Sequence, residues 1–174
     1  MLKRSTLVAA ALWLGMASAS AQQAATPCIT EAEGEALFQV MLPDVIREMG
    51  RVCVALPPRS FLRQPDAAFM ARITAGVAPA MPAAQGGIRK LLGPQGAALA
   101  DSPFAIPTAR AIFVPLAARQ IKPADCPGLD KIVGNLAPLP PRNLAAVFVA
   151  LALLGGDEEK RGPRLPICPM GRSR

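Results

Sequence analysis

Residues 144–154, LeuAlaAlaValPheValAlaLeuAlaLeuLeu, carry no polar side-chain atom over eleven positions. Read as a helix this run is about 16 Å long, half of the ~30 Å that a bilayer's hydrocarbon requires. Pro138, Pro140, Pro141 and Arg142 stand immediately before it, and Gly155, Gly156, Asp157, Glu158 and Glu159 immediately after, so it cannot be lengthened. A uniformly apolar helix too short to span a membrane is a buried core helix. The rest of the chain is therefore expected to pack around residues 144–154 as a central helix.

The N-terminus has the pattern of a secretory signal. Lys3 and Arg4 make a positive start, residues 7–16 are apolar, and Ala19-Ser20-Ala21 supplies the small residues expected before a cleavage site. Cleavage after Ala21 would leave residues 22–174 as one helical domain of about 150 residues, enough to bury roughly two-thirds of its unfolded surface. No cysteine adjoins the cleavage site, which argues against lipid attachment. The whole chain has 19 Lys+Arg against 12 Asp+Glu. Arginine outnumbers lysine, and Ala, Pro and Gly are abundant. This reads as GC-rich coding bias with scattered solvated charge, a likeness of composition to small exported proteins of GC-rich bacteria that carries no functional residue.

All four cysteines, Cys28, Cys53, Cys126 and Cys168, fall after the leader. An even number in an exported chain reads as two disulfides, and the wide spacings lack the close pairs from which Cys₄ metal sites are built.

Helical periodicity recurs along the chain. Thr30-Glu31-Ala32-Glu33 is a capping box, with Ala36, Leu37, Val40 and Met41 repeating behind it. Pro43 is expected to end this helix and start a second, whose face is Val45, Ile46, Met49, Val52, Cys53 and Leu56. A third helix follows Pro65-Asp66, with Phe69, Met70, Ile73 and Val77 inward. Residues 77–87 support only a broken segment. Ile88, Leu91 and Leu92 suggest a short helix closed by Gly93-Pro94, and residues 95–100 add another turn or two. Residues 107–121 read as a helix kinked at Pro115, because no second strand-like run exists to pair with Ala111-Ile112-Phe113-Val114. Leu129, Ile132, Val133 and Leu136 form an inward row with Asp130 and Lys131 facing away. The fold class is thus all-α, with about five to seven helices. Two antiparallel hairpins, one on each side of the chain's middle, predict the bridges Cys28–Cys53 and Cys126–Cys168.

The sequence has no histidine and no tyrosine. Ser-His-Asp and Cys-His catalysis and His-ligated haem or zinc are excluded with the imidazole. Glu31, Glu33 and Glu35 could supply an acid and a base, but capping explains them fully. Asp157-Glu158-Glu159, beside Lys160-Arg161, reads as solvated charge pairs. Gly86-Gly87-Ile88-Arg89-Lys90 offers glycines and cations without the spacing of a phosphate loop and reads as a turn. No catalytic, cofactor or metal residue is assigned, nucleic-acid binding lacks cations interleaved with aromatics, and the part after the leader holds no transmembrane span.

The expected function is a non-enzymatic interaction or structural module of a bacterial envelope, periplasmic or secreted, whose partner is an envelope protein or an anionic envelope component met by Arg172 and Arg174. The alternative is a carrier of lipid or another apolar ligand, with Phe38, Phe61, Phe69, Phe104, Phe113 and Phe148 lining a cavity between helices. A carboxylate-based enzyme comes third.

Overall fold

The computed structural model describes residues 27–154 and 166–168. These residues form six α-helices and one 3₁₀ turn, with no strand among them: α1 (Glu31–Val52), α2 (Ala67–Ala75), α3 (Val77–Ala100), α4 (Ala105–Ala118), the turn Pro123–Asp125, α5 (Cys126–Leu136) and α6 (Pro141–Leu154). The leader, residues 155–165 and the basic C-terminal residues lie outside the described part.

Helix α1 starts where the capping box places it. The Glu33 amide donates to Thr30 Oγ1 at 3.2 Å while Thr30 N–H donates to Glu33 Oε2 at 2.8 Å, so two amides without intrahelical partners are satisfied reciprocally. The helix then runs through Pro43 without ending. This corrects the expected break. Proline removes one N–H and crowds the preceding turn, at a cost of about 3 kcal/mol. Two side chains tie this part of α1 to other elements. Arg110 Nη2 donates to the Val40 carbonyl at 2.8 Å, and Gln39, buried beside it, donates from Nε2 to the Gly76 carbonyl at 2.7 Å. Burial does the rest, because Val40, Met41, Leu42, Pro43 and Ile46 are all buried.

Pro43 also marks the division of the core. N-terminal to it, Ala36, Leu37, Val40 and Met41 pack with Ala80, Ala84 and Ile88 of α3 and Ile106 and Val114 of α4. C-terminal to it, Ile46, Met49 and Cys53 pack with Phe69 and Ile73 of α2, Val133 of α5 and Leu144 of α6, and Leu42 belongs with them. The apolar run forms α6, with Leu144, Ala145 and Val149 buried, but Leu151 is 51% exposed, so α6 is a helix packed by one side and not the central helix expected from its composition. It lies against α1, and α1 is the element that α2, α3, α4 and α6 have in common.

Residues 77–87, read from sequence as broken, are helical. Ala80, Ala84 and Gly87 present a small-residue face at helical spacing, and it is this face that meets α1. A Cβ on Gly87 would lie 3.2 Å from Leu37 Cδ1 and 3.3 Å from Glu33 Cβ, so glycine here sets the closeness of two helices and not a turn. The closure expected at Gly93-Pro94 is present, since Gly93 takes φ 67°, a left-handed conformation that glycine adopts without penalty, and the helix changes direction there. Helix α4 carries Pro115 internally, as expected.

The disulfides join Cys28 to Cys168 and Cys53 to Cys126. The expected hairpin pairing is overturned by the continuity of α1: 22 residues of helix span about 33 Å, and a disulfide tolerates only ~4.4–6.8 Å between Cα atoms. Cys28 and Cys53 are therefore held at opposite ends of one rod. Cys53, at the C-terminal end of α1, meets the start of α5. Cys28, before α1, meets a short extended stretch, in which Ile29 pairs with Ile167 as an isolated parallel bridge. The inner bridge shortens the loop closed by the outer one to roughly 70 residues, so the chain-entropy model gives about 4 kcal/mol for each.

Two further readings change on α5. Ile132 is largely exposed, leaving Leu129, Val133 and Leu136 as the inward row. Asp130 turns toward the core side and accepts from the Leu62 amide at 2.7 Å, fixing the connector between α1 and α2.

Candidate interaction surface on helix α4

Helix α4 is anchored by its inner face. Ala105, Ile106, Val114 and Ala118 are buried, and Ile106 and Val114 pack into the core beside α1. Arg110 lies on the same side. Besides bonding the Val40 carbonyl, its Nε sits 3.5 Å from Asp44 Oδ2, an ion-pair distance without hydrogen-bond geometry, and that Nε is buried with no hydrogen-bond partner. The one charged residue of α4 is thereby committed inward.

What remains outward is apolar. Phe104, at the N-terminal boundary of α4, is 69% exposed, Ile112 52% and Phe113 40%. Pro107, Thr108, Ala111, Pro115 and Ala117 complete the exposed positions, and none of them can ionise. Just upstream, Leu99 in the last turn of α3 is also exposed. A helix that keeps its only cation for internal contacts and offers two phenylalanines and an isoleucine to solvent has the composition of the middle of a protein interface, where charge is depleted and aromatics are enriched.

Sequence singled out part of this surface for a different reason. The six phenylalanines do not converge on one place. Phe38 stacks on Phe148 with ring centroids 4.9 Å apart, and Phe61 meets Phe69 edge-on at 5.1 Å, both pairs belonging to the core on the C-terminal side of Pro43. Phe104 and Phe113 stand apart on α4. Exposure of these two has no sequence signature, because the single charge of α4 is turned inward and the remaining positions are uncharged on every side.

The acidic residues separate into structural roles. Glu33 closes the capping box and meets Lys90 Nζ at 2.8 Å. Burial works upward on its pKa, but the hydrogen bonds from Lys90 and from the Thr30 backbone and hydroxyl, together with the Lys90 charge, outweigh that and leave it below the ordinary carboxylate value. A carboxyl held ionised in this way is a poor general acid. Glu35 lies 3.7 Å from Arg142 and ties α6 to α1. The cluster Asp157-Glu158-Glu159 lies outside the described residues.

The segment Gly86-Gly87-Ile88-Arg89-Lys90, expected as a turn, sits inside α3 with its amides in the helix. Arg89 pairs with Asp101 and Lys90 with Glu33, so both cations have protein partners. The four cysteines are consumed in the two disulfides, leaving no thiolate to bind a metal or act as nucleophile. None of the described helices is long and apolar enough to cross a membrane.

Compared with models of known protein families, with curated proteins and with solved structures, the chain finds no match.

Proposed function

We propose that the chain is an exported, non-enzymatic interaction module of a bacterial envelope, and that the uncharged outer face of α4 is the seat of a protein partner. The class of protein is supported by the leader pattern at residues 1–21 and by four cysteines paired in two bridges, chemistry that persists in oxidising compartments. The observation that carries the assignment is the exposure of Phe104, Ile112 and Phe113 on a helix whose sole charge is turned inward. The occupant is a protein with a matching apolar surface, because desolvating that face gains most against side chains that also lose water.

The test places a photoreactive side chain at Ile112 in the exported protein and, as control, at Arg47 on the solvent side of α1. A discrete adduct is expected from position 112 and not from 47. The purified adduct partner should then bind the unmodified protein and lose at least tenfold in affinity against Ile112→Glu, a loss of about 1.4 kcal/mol. An adduct pattern identical at the two sites, or an affinity unchanged by Ile112→Glu and Phe113→Glu, overturns the proposal. Catalytic turnover abolished by one carboxylate substitution would overturn the non-enzymatic part.

A further inference from the structure

The two disulfides differ in what they hold. Cys53 and Cys126 are 1% and 3% exposed and belong to the core shared by α1, α2, α5 and α6. Cys28 and Cys168 are both half-buried and lie outside every helix. Among the described residues, what Cys28–Cys168 secures is residues 166–168, held to the residue before the cap of α1 by two backbone hydrogen bonds. Ile29 N–H donates to the Pro166 carbonyl at 2.9 Å, and Cys168 N–H donates to the Ile29 carbonyl at 2.8 Å. The third attachment is Ile167, whose side chain rests on Gly34. A Cβ at that glycine would lie 3.3 Å from Ile167 Cδ1. Ile167 is thus part of the cover over Ile29, which is fully buried at the edge of the core formed by α1, α3 and α4.

We propose that Cys28–Cys168 is a redox-operated latch, opened by a dithiol reductant while Cys53–Cys126 remains closed as the permanent staple. Thiol–disulfide exchange requires a thiolate to approach a sulfur along the S–S axis, so access decides which bridge reacts first. One thiolate of the reductant attacks a sulfur of the outer bridge, forming a mixed disulfide and releasing the other cysteine as thiolate. The reductant's second thiol then resolves the mixed disulfide. Cys28 and Cys168 end as two thiols, having gained two electrons and two protons, and the reductant ends as a disulfide. With the tether gone, residues 166–168 retain two backbone bonds and one isoleucine contact against the entropy of a freed chain. Their release uncovers the Ile29 backbone N–H and carbonyl together with the apolar slot over Gly34. The helical body is retained, since α1 keeps its contacts with α2, α3, α4 and α6 and the inner bridge is intact.

The experiment is graded reduction of the native protein with dithiothreitol, followed by alkylation of new thiols and peptide mapping, with far-ultraviolet circular dichroism and amide hydrogen exchange on the same samples. Cys28 and Cys168 should be alkylated at least tenfold faster than Cys53 and Cys126, with helicity unchanged and exchange accelerated at Ile29 and Cys168. Simultaneous alkylation of all four cysteines, prior alkylation of Cys53 and Cys126, or loss of helicity with the first pair each overturns the latch. The double variant Cys28→Ser/Cys168→Ser provides the second arm. It should fold and show the same accelerated exchange, and failure to fold, or an Ile29 amide still protected, overturns the proposal equally.

Discussion

Alanine at Gly76 tests how tightly α1, α6 and the α2–α3 junction are fitted together. Gly76 has φ −68° and ψ −15°, a conformation open to any residue, so backbone strain plays no part. By helix propensity and unfolded-state entropy alone, Gly76→Ala should stabilise by about 0.4–1 kcal/mol. The surroundings reverse that sign. A Cβ at this position would lie 2.8 Å from Gln39 Nε2 and 2.8 Å from Pro141 Cβ. Carbon atoms prefer ~3.5–4.0 Å, so one partner must retreat by most of an ångström. Pro141 is a rigid ring at the start of α6. Gln39 could rotate away, but it would surrender its bond to the Gly76 carbonyl and leave a buried amide unpaired, at about 1–3 kcal/mol. Overpacking adds about 1–3 kcal/mol. The net expectation is destabilisation by about 2–4 kcal/mol, a fall of roughly 1 M or more in the urea midpoint with disulfides intact. Gly128→Ala is the matched control: nothing lies within 4 Å of its Cβ, and it should be neutral or stabilising by up to about 1 kcal/mol. Equal midpoints for the two variants would refute the close approach of α1 and α6 at Gly76.

Arg110→Met should cost about 1–3 kcal/mol in urea unfolding and raise hydrogen exchange along α1 near Pro43, because the Val40 carbonyl loses its cationic partner and Asp44 is left with Arg47 alone; unchanged exchange there would show that Arg110 does not hold this part of α1. Glu33→Gln should lower the urea midpoint at pH 7, and the gap to the unsubstituted protein should close as the pH falls below the ordinary carboxylate range and through the folded pKa. A carboxyl whose folded pKa is depressed contributes stability above its unfolded pKa of about 4.3, and that contribution is lost as pH falls through the folded value. A pH-independent gap between the two proteins would contradict the assigned ionisation.

The features that were legible in the sequence are those with local causes. Thr30 and Glu33 satisfy each other's amides within one turn, Asp66 accepts from the Ala68 amide at 2.9 Å, and Gly93-Pro94 redirects α3 by its own backbone geometry. The misreadings have distant causes. Pro43 looked like a helix start because what carries α1 through it is tertiary: the burial of Val40, Met41, Leu42 and Ile46, and the contact of Arg110, which reaches the Val40 carbonyl from seventy residues along the chain. Gly86-Gly87 looked like a turn because Gly87 serves to admit Leu37 and Glu33 of another helix. Asp130 looked solvated because its partner, the Leu62 amide, lies in a connector with no periodic pattern. The disulfide pairing followed from the first of these errors, since a helix broken at Pro43 folds back and a continuous one does not. Exposure on α4 was hidden for another reason: its one charge, Arg110, faces α1, so the charge does not mark the solvent side.

The continuity of α1 through Pro43 fixes which cysteines can meet, and a peptide map of the oxidised protein without reduction tests it most directly. Peptides linked as Cys28 with Cys168 and Cys53 with Cys126 are predicted. Any peptide joining Cys28 to Cys53 would mean that the chain turns back at Pro43 and would contradict it.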